Sequence, residues 1–396
     1  MTKRRLVVMM TVAAMTSMAR LGTGSENPPP PSRSSPMLVT SYSTVVNNLT
    51  KASIPVRELE GEGLVAVTLA AGRIVAMGFS REGPDLLWSN PQLADTTVLE
   101  TAPENLVGGF GGDRLWFAPE LDYYWNGAPD WRGFTNYKAP PATDPGAYEF
   151  IDAGADAVGL LGKGTLTAHG GGERRVDFNV RRSVRMAEPP LSRADSLMKG
   201  VDFVGIETSH SLKMDAASRA GSIDLWHLLQ MPAGSVLVVP INSRASASER
   251  KPLSYGLPGG WIEKSDHIMW RYGGEAHAKF GLPAAALTGR TAVLRQLDQA
   301  RWCLIVRDFS ADSRAFYGDH PYQVPRSDQA FQAWDGYGFG EMEYHSPMLN
   351  ARKRPGKAPS SAPVVVPGCA LIKRDRCTRA HYRTGGRYRP SASPEP

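Results

Sequence analysis

Arg175-Val-Asp-Phe-Asn-Val-Arg-Arg-Ser-Val-Arg-Met186 alternates apolar and polar residues over almost its whole length. Val176, Phe178, Val180, Val184 and Met186 fall on one side, and Arg175, Asp177, Asn179, Arg181, Ser183 and Arg185 on the other. A period of two marks a strand with one face in a core and one in water. Arg182 interrupts the apolar side and is read as a bend. Working outward, Leu64-Val-Ala-Val-Thr-Leu69 and Arg73-Ile-Val-Ala-Met-Gly-Phe79 flank a short turn and read as a hairpin. Val236-Leu-Val-Val-Pro240, Ile268-Met-Trp-Arg-Tyr272 and Trp302-Cys-Leu-Ile-Val-Arg-Asp-Phe309 supply further strands. Helical periodicity is scarce, and only residues 215–220 and 327–334 are read as holding a turn or two. With 40 glycines and 31 prolines punctuating these runs, the expected fold is all-β, one large antiparallel β-sandwich.

The 396 residues, 42% of them hydrophobic, suffice for one large β domain or two ordinary ones. The net charge of +6 belongs to the ends. Residues 351–396 hold eleven Lys/Arg against two Asp/Glu, and residues 1–36 hold five against one. Residues 37–350 keep 29 basic and 36 acidic side chains, a mildly acidic body from which no nucleic-acid partner is expected. Residues 1–19 combine a basic start, Lys3-Arg-Arg5, a short apolar stretch and a small-x-small site at Ser17-Met-Ala19. That is the pattern of a cleavable export signal, so the expected location is periplasmic or extracellular, with no membrane span in the mature chain. Residues 20–54 read as a Pro/Ser-rich linker and lead-in, 55–350 as the β domain, and 351–396 as a basic, disordered tail. Cys303 reads as a buried small apolar residue, while Cys369 and Cys377 are close enough for a short disulfide loop outside the cytoplasm. Neither cysteines nor histidines show metal-ligand spacing, and no phosphate or dinucleotide fingerprint occurs, so neither metal nor cofactor is expected. Asn48-Leu-Thr50 is a glycosylation sequon where the host glycosylates. Nothing in the sequence sets an oligomeric state.

Val107-Gly-Gly-Phe-Gly-Gly-Asp-Arg-Leu-Trp-Phe-Ala-Pro-Glu120 brings chemistry to this frame. Its glycines allow positive φ or a close approach to another surface. Asp113, Arg114, Trp116 and Glu120 suit a polyhydroxylated ring: carboxylates and a guanidinium fork for hydroxyls, a flat face for C–H groups. The plainer reading is a glycine-rich turn entering a core strand, with Asp113 and Arg114 merely paired. Residues 119–148, rich in Tyr, Trp and Pro, and residues 256–261 read as walls of a cleft. In Phe339-Gly-Glu-Met-Glu-Tyr-His-Ser-Pro347, a strand puts Phe339, Glu341, Glu343 and His345 on one face and Met342 and Tyr344 on the other. Close carboxylates raise one member's pKa, as a general base near neutral pH requires. The plainer reading there is the solvated face of an edge strand. His210 shares its face with Val204, Ile206, Leu212 and Met214, where a histidine is more often a core residue than a catalyst.

Residues 111–120, Gly-Gly-Asp-Arg-Leu-Trp-Phe-Ala-Pro-Glu, resemble a segment of the galactose mutarotase-like (aldose 1-epimerase-related) superfamily, closest to its poorly characterised bacterial members. The resemblance continues in Gly72-Arg-Ile-Val-Ala-Met-Gly78, Leu87-Trp-Ser-Asn-Pro91 and residues 339–347, and so covers about 55–350 in the right order. It implies a supersandwich, a mono- or oligosaccharide ligand, and anomer interconversion by proton transfer. In that reaction a base takes the anomeric hydroxyl's proton while an acid protonates the ring oxygen, and the ring opens and recloses. The superfamily's base glutamate lies in a Met-Glu context that matches Met342-Glu343, which makes Glu343 the base. Thr208-Ser-His-Ser211 resembles the context of the acid, which makes His210 the acid and His227 its rival, although the following aromatic residue and Asn-Leu are missing. Asp113, Arg114, Trp116, Glu120, Glu341 and His345 complete the expected sugar-binding set. A carbohydrate-binding protein without turnover is the alternative, and a polysaccharide lyase or hydrolase the third reading.

Overall fold

The computed structural model describes residues 40–101, 109–130, 132–169, 174–192, 194–215, 218, 221–256, 260–319 and 329–350. The expected export signal, the tail and the Cys369–Cys377 pair lie outside the described residues. A ten-stranded sheet runs in the order β1 (Val56–Glu60), β2 (Leu64–Thr68), β3 (Ile74–Gly78), β4 (Asp113–Ala118), β9 (Ser222–Pro232), β18 (Phe339–His345), β17 (Gln329–Gly336), β14 (Ala278–Pro283) and β11 (Leu253–Gly256); β19 (Leu349–Asn350) joins it beside the start of β9. A five-stranded sheet has the order β12 (Ile262–Glu263), β13 (His267–Arg271), β10 (Val236–Pro240), β15 (Arg290–Gln296) and β16 (Trp302–Asp308). A four-stranded sheet has the order β5 (Ala147–Ile151), β6 (Ala157–Thr167), β7 (Arg175–Met186) and β8 (Ile206–Met214). Their ladders are antiparallel, and the chain is the all-β sandwich its alternation implied.

Register assigns the two faces of the large sheet. Arg114 pairs with Leu228, Leu228 with Glu343, Glu343 with Gln332 and Gln332 with Gly281, so these positions share one face. The neighbouring positions, Leu115, His227, Tyr344, Phe331 and Leu282, share the other. Both smaller sheets cover that second face. Phe117 meets Phe178 of the four-stranded sheet at 4.3 Å between ring centroids. Phe280 meets Trp270 of the five-stranded sheet at 5.5 Å, and Phe309, just past β16, lies 5.2 Å from Tyr344. One core therefore collects residues from all three sheets, with Cys303 among them.

The first face is divided between a helix and a cleft. Helix α1 (Tyr42–Lys51) buries Tyr42, Val45, Val46 and Leu49 against Ala66 of β2 and Val75 of β3. Those residues recur at i, i+3, i+4 and i+7, a helical stripe inside the stretch read as linker and lead-in. Burying each contributes about 1.5–3 kcal/mol. The helix starts at Ser41, whose hydroxyl accepts from the Thr44 N–H. Asn48 of the sequon donates its side-chain amide to the Leu93 carbonyl at 2.8 Å, which ties it to the neighbouring turn.

Several expectations need correction. Residues 329–334 belong to β17, not to a helical turn; the strand is central and buried on both faces, which erases the alternation that would have revealed it. Arg182 makes no bend, since β7 pairs continuously across it with Leu160 and His210. It points inward and donates to the Gly72 carbonyl at 2.6 Å. Gly111 and Gly112 have φ of 92° and 79°, and an added Cβ would run into the Trp88 and Ile74 carbonyls respectively. The close approach they permit is to neighbouring backbone, not to a ligand. Trp261 packs on Trp270 and Phe280 at 5.7 and 5.0 Å, so it covers the core and does not line the cleft described below.

Candidate functional site

The open part of the first face is the floor of a cleft of about 1060 Å³. Strand alternation delivers its side chains: Arg114 and Trp116 from β4, Trp226 and Leu228 from β9, Phe339 and Glu341 from β18, Trp334 from β17 and Lys279 from β14. Glu120 joins them from α2 (Glu120–Tyr123), placed where its backbone N–H donates to Asp319 at 2.7 Å. One wall is the aromatic connection after α2, which contributes Phe134, Tyr137, Lys138 and Asp144, continued by Tyr148 of β5. It is pinned to the floor through Asp144, which accepts from Trp116 Nε1 at 3.1 Å and from Arg73 Nη2 at 2.9 Å. The expectation that residues 119–148 wall a cleft holds; Trp131 lies outside the described residues.

Two ionic groups occupy the floor. Arg114 donates to Glu341 at 2.7 Å, both being buried, and its guanidinium lies 3.6 Å from the centroid of the Trp116 ring. Lys279 sits between two carboxylates, 2.9 Å from Glu120 and 3.1 Å from Glu343, with its ammonium 4.7 Å from the Trp226 centroid. Glu343 also accepts from Trp226 Nε1 at 2.7 Å through Oε2, while its buried Oε1 has no hydrogen-bond partner among the described residues. Burial pushes the Glu343 carboxyl up; Lys279 opposes this, and Glu341 and Glu120 add to it, leaving it at about 7. Burial likewise raises Glu120. Burial alone would lower Lys279, but Glu120 and Glu343 outweigh it and hold the ammonium protonated.

Glu343 does not itself line the cleft; its solvent exposure is 0%, and two lining residues, Trp226 and Lys279, bind it. His345 shares that face but is equally buried, with Nδ1 3.0 Å from Asp224 and its ring stacked on Trp226 at 5.8 Å. Burial lowers His345, yet Asp224 and Asp319 more than compensate and raise it.

Asp113 and His210 are elsewhere. Asp113 follows the strand alternation to the opposite face from Arg114, so the two are neither paired with each other nor joint clamps. Its carboxylate takes Arg307 Nη2 of β16 at 2.8 Å and faces Arg182 of β7 at 3.4 Å. His210 of β8 meets His227 of β9 at 4.4 Å, and His227 stacks on Tyr344 at 4.3 Å. The three sheets thus converge on a buried polar junction of Asp113, Arg182, Arg307, His210, His227 and Tyr344. Burial, reinforced by the neighbouring positive groups, lowers both histidines well below their usual range. Neither imidazole reaches the cleft, because the sheet itself lies between. Of the expected set, the floor therefore brings together Arg114, Trp116, Glu120 and Glu341, with Glu343 and His345 packed behind it.

Lys279 and Trp334 escaped the sequence reading. A lone lysine in Ala278-Lys-Phe-Gly-Leu-Pro283 was the available signal, since a charge within an otherwise apolar strand needs a partner.

Among the described residues, no helix is long and apolar enough to cross a membrane. Solved structures similar to this chain include a protein of Escherichia coli K12 proposed to be an aldose 1-epimerase, with 11% identity and a TM-score of 0.37 over 82% of this chain and 100% of that one. A galactose mutarotase-like protein from Lactobacillus casei ATCC 334 has 9% identity and a TM-score of 0.40 over 81% and 100%. Another from Clostridium acetobutylicum has 9% identity and a TM-score of 0.38 over 82% and 99%. No curated protein matches the chain. Residues 40–348, which span the described sandwich almost entirely, match one family, and the chain belongs to it: DUF6786, a family of unknown function.

Proposed function

We propose that the cleft binds a carbohydrate. The observation that carries this reading is the array of Arg114–Glu341 and Glu120–Lys279–Glu343 on one sheet face, at the foot of a cleft walled by aromatic rings. Ion pairs at a floor offer acceptors and donors together, which is what vicinal hydroxyls need, and aromatic faces take the C–H side of the ring. Binding is the primary reading because Glu343 lies behind the floor and, among the described residues, no histidine lines it.

Turnover is the second reading, and the Glu343 carboxyl supports it. A carboxyl at about 7 is matched to proton transfer near neutral pH. In this reading a bound sugar displaces the Trp226 contact, Glu343 takes the proton of the anomeric hydroxyl as the bond from C1 to the ring oxygen breaks, and Lys279 gives a proton to that oxygen; rotation and reclosure of the ring return both protons. Export with removal of residues 1–19 belongs to the same proposal, and N-terminal sequencing of the mature protein checks it.

Calorimetric titration with common aldoses tests binding, and saturation-transfer NMR of their anomers tests turnover. Binding without faster anomer exchange supports the first reading. Faster exchange that Glu343→Gln abolishes, with binding retained, supports the second. A protein that binds no saccharide refutes both.

A further inference from the structure

Three ring-bearing side chains sit on backbone that L-residues avoid: Phe134 (φ 52°) and Tyr337 (φ 53°), which line the cleft, and His277 (φ 49°), which packs against them. They come from three separate connections, namely the wall after α2, the β13–β14 link and the β17–β18 hairpin. Yet they converge: His277 and Tyr337 are 4.6 Å apart between centroids, Phe134 and Tyr337 5.7 Å, and Phe134 and His277 5.8 Å. They surround Trp334, which lies 5.7 Å from Tyr337 and 5.3 Å from Phe339. Among the described residues, the other non-glycine positions with positive φ are Ser53 and Ala71, so ring-bearing residues dominate this class and gather in one place.

Tyr337 is the most telling of the three. It and Gly338 (φ 87°) are the two loop residues of a hairpin whose ladder closes at Gly336–Phe339. Positive φ at both positions is the type I′ requirement, which Asn-Gly satisfies best. A tyrosine there is unfavourable, and 41% of it stays exposed to solvent. Bulky residues held in sparsely populated conformations gather at ligand clamps.

We propose that this collar is a second sugar subsite, so that the cleft takes an oligosaccharide, with one unit over the ion pairs and the next stacked on Tyr337. The inference rests on the carbohydrate reading above. Trp334 is the ladder partner of both Lys279 and Glu341, so the collar begins one position from the charged floor. The cleft volume of about 1060 Å³ stands at the top of the range of roughly 300–1,000 Å³ that encloses drug-sized ligands, more room than one pyranose fills.

Isothermal titration compares methyl glycosides of glucose, galactose and mannose with the corresponding homodisaccharides. The wild type is expected to bind one disaccharide roughly tenfold tighter than its glycoside, the scale of one added ring stack. Tyr337→Asn suits the turn, so it should melt about 2 °C higher while the disaccharide-to-glycoside ratio falls to near one. A residue with a purely structural role does not gain stability and lose selectivity together. Glu341→Gln, at the floor, should weaken both probes in parallel. A wild-type ratio near one, or a ratio that survives Tyr337→Asn, overturns this inference and leaves the floor reading standing. Binding of neither probe overturns both.

Discussion

Lys279→Met is the most informative perturbation of the floor. The ammonium lies 2.9 Å from Glu120 and 3.1 Å from Glu343, and all three side chains are buried. Methionine keeps the stem's volume and removes the charge, so two carboxylates face each other without a cation. Breaking a buried ion pair this way costs about 3–5 kcal/mol when the remaining charge persists. The carboxyls can escape by holding protons, and that makes the cost depend on pH. A cation within hydrogen-bonding distance lowers an acid's pKa by about 1–3 units, so its loss moves Glu343 from about 7 to roughly 8–10. A carboxyl whose folded pKa lies above its unfolded value stabilises the fold below the unfolded pKa, and that contribution is lost as pH rises through the folded one. At pH 5 Glu343 is protonated with or without Lys279, and its share of the penalty vanishes. The share grows as pH rises above the wild-type value of about 7, and at pH 8.5 it amounts to about 1–2 kcal/mol at 1.4 kcal/mol per unit. Urea unfolding of both proteins at pH 5 and pH 8.5 measures the difference. A penalty equal at the two pH values, or below about 0.5 kcal/mol at both, would refute the buried triad.

The remaining predictions concern the two faces separately. Glu343→Gln keeps the Trp226 hydrogen bond and should leave saccharide affinity within about threefold, since Glu343 lies behind the floor and Lys279, which lines it, keeps its ion pair with Glu120; titration calorimetry checks this. Arg182→Leu leaves Asp113 facing one arginine and the Gly72 carbonyl without its donor, and should cost about 3–5 kcal/mol by urea unfolding. His210 and His227 are lowered by burial, so their contribution is complete above the unfolded value of about 6.5 and is lost as pH falls below it. His227→Phe should therefore flatten the fall in stability between pH 6.5 and 5.5 by up to about 1.4 kcal/mol; an unchanged slope would place that titration elsewhere.

Much of this arrangement was legible from spacing alone, because strand geometry is strict about faces. Glu341 and Glu343 fall on one side of β18 and Met342 and Tyr344 on the other, as alternation required. The same rule puts the adjacent Asp113 and Arg114 on opposite faces of β4, so they neither pair nor meet one ligand. His210 was correctly placed on an apolar face, and that face is core, so the motif resemblance alone had made it an acid. Strand order was not legible. Nothing in Ala278–Pro283 announces that β14 lies beside β17, which is what carries Lys279 to Glu343. Residues 329–334 misled for a related reason. Gln332 and Trp334 lie on the cleft side of the sheet, Gln332 buried against Asp319 and Trp334 lining the cleft, while Phe331 and Ala333 face the core, so both sides are buried and no period of two survives.

The position of β18 has a consequence for biogenesis. It is the last long strand among the described residues, yet it is seated between β9 and β17 instead of at an edge. A ribosome that has released residues up to 336 has therefore produced two strands whose facing edges both lack a partner. At roughly 5–20 residues per second, that slot stays open long enough for foreign strands to compete for it. Pairing across such sequence separations is also intrinsically slow. Arg114 and Glu341, 227 positions apart, meet only when the slot fills. Nascent chains arrested before residue 339 should accordingly recruit chaperones and show no ligand affinity, and release of the next few residues should switch both properties together.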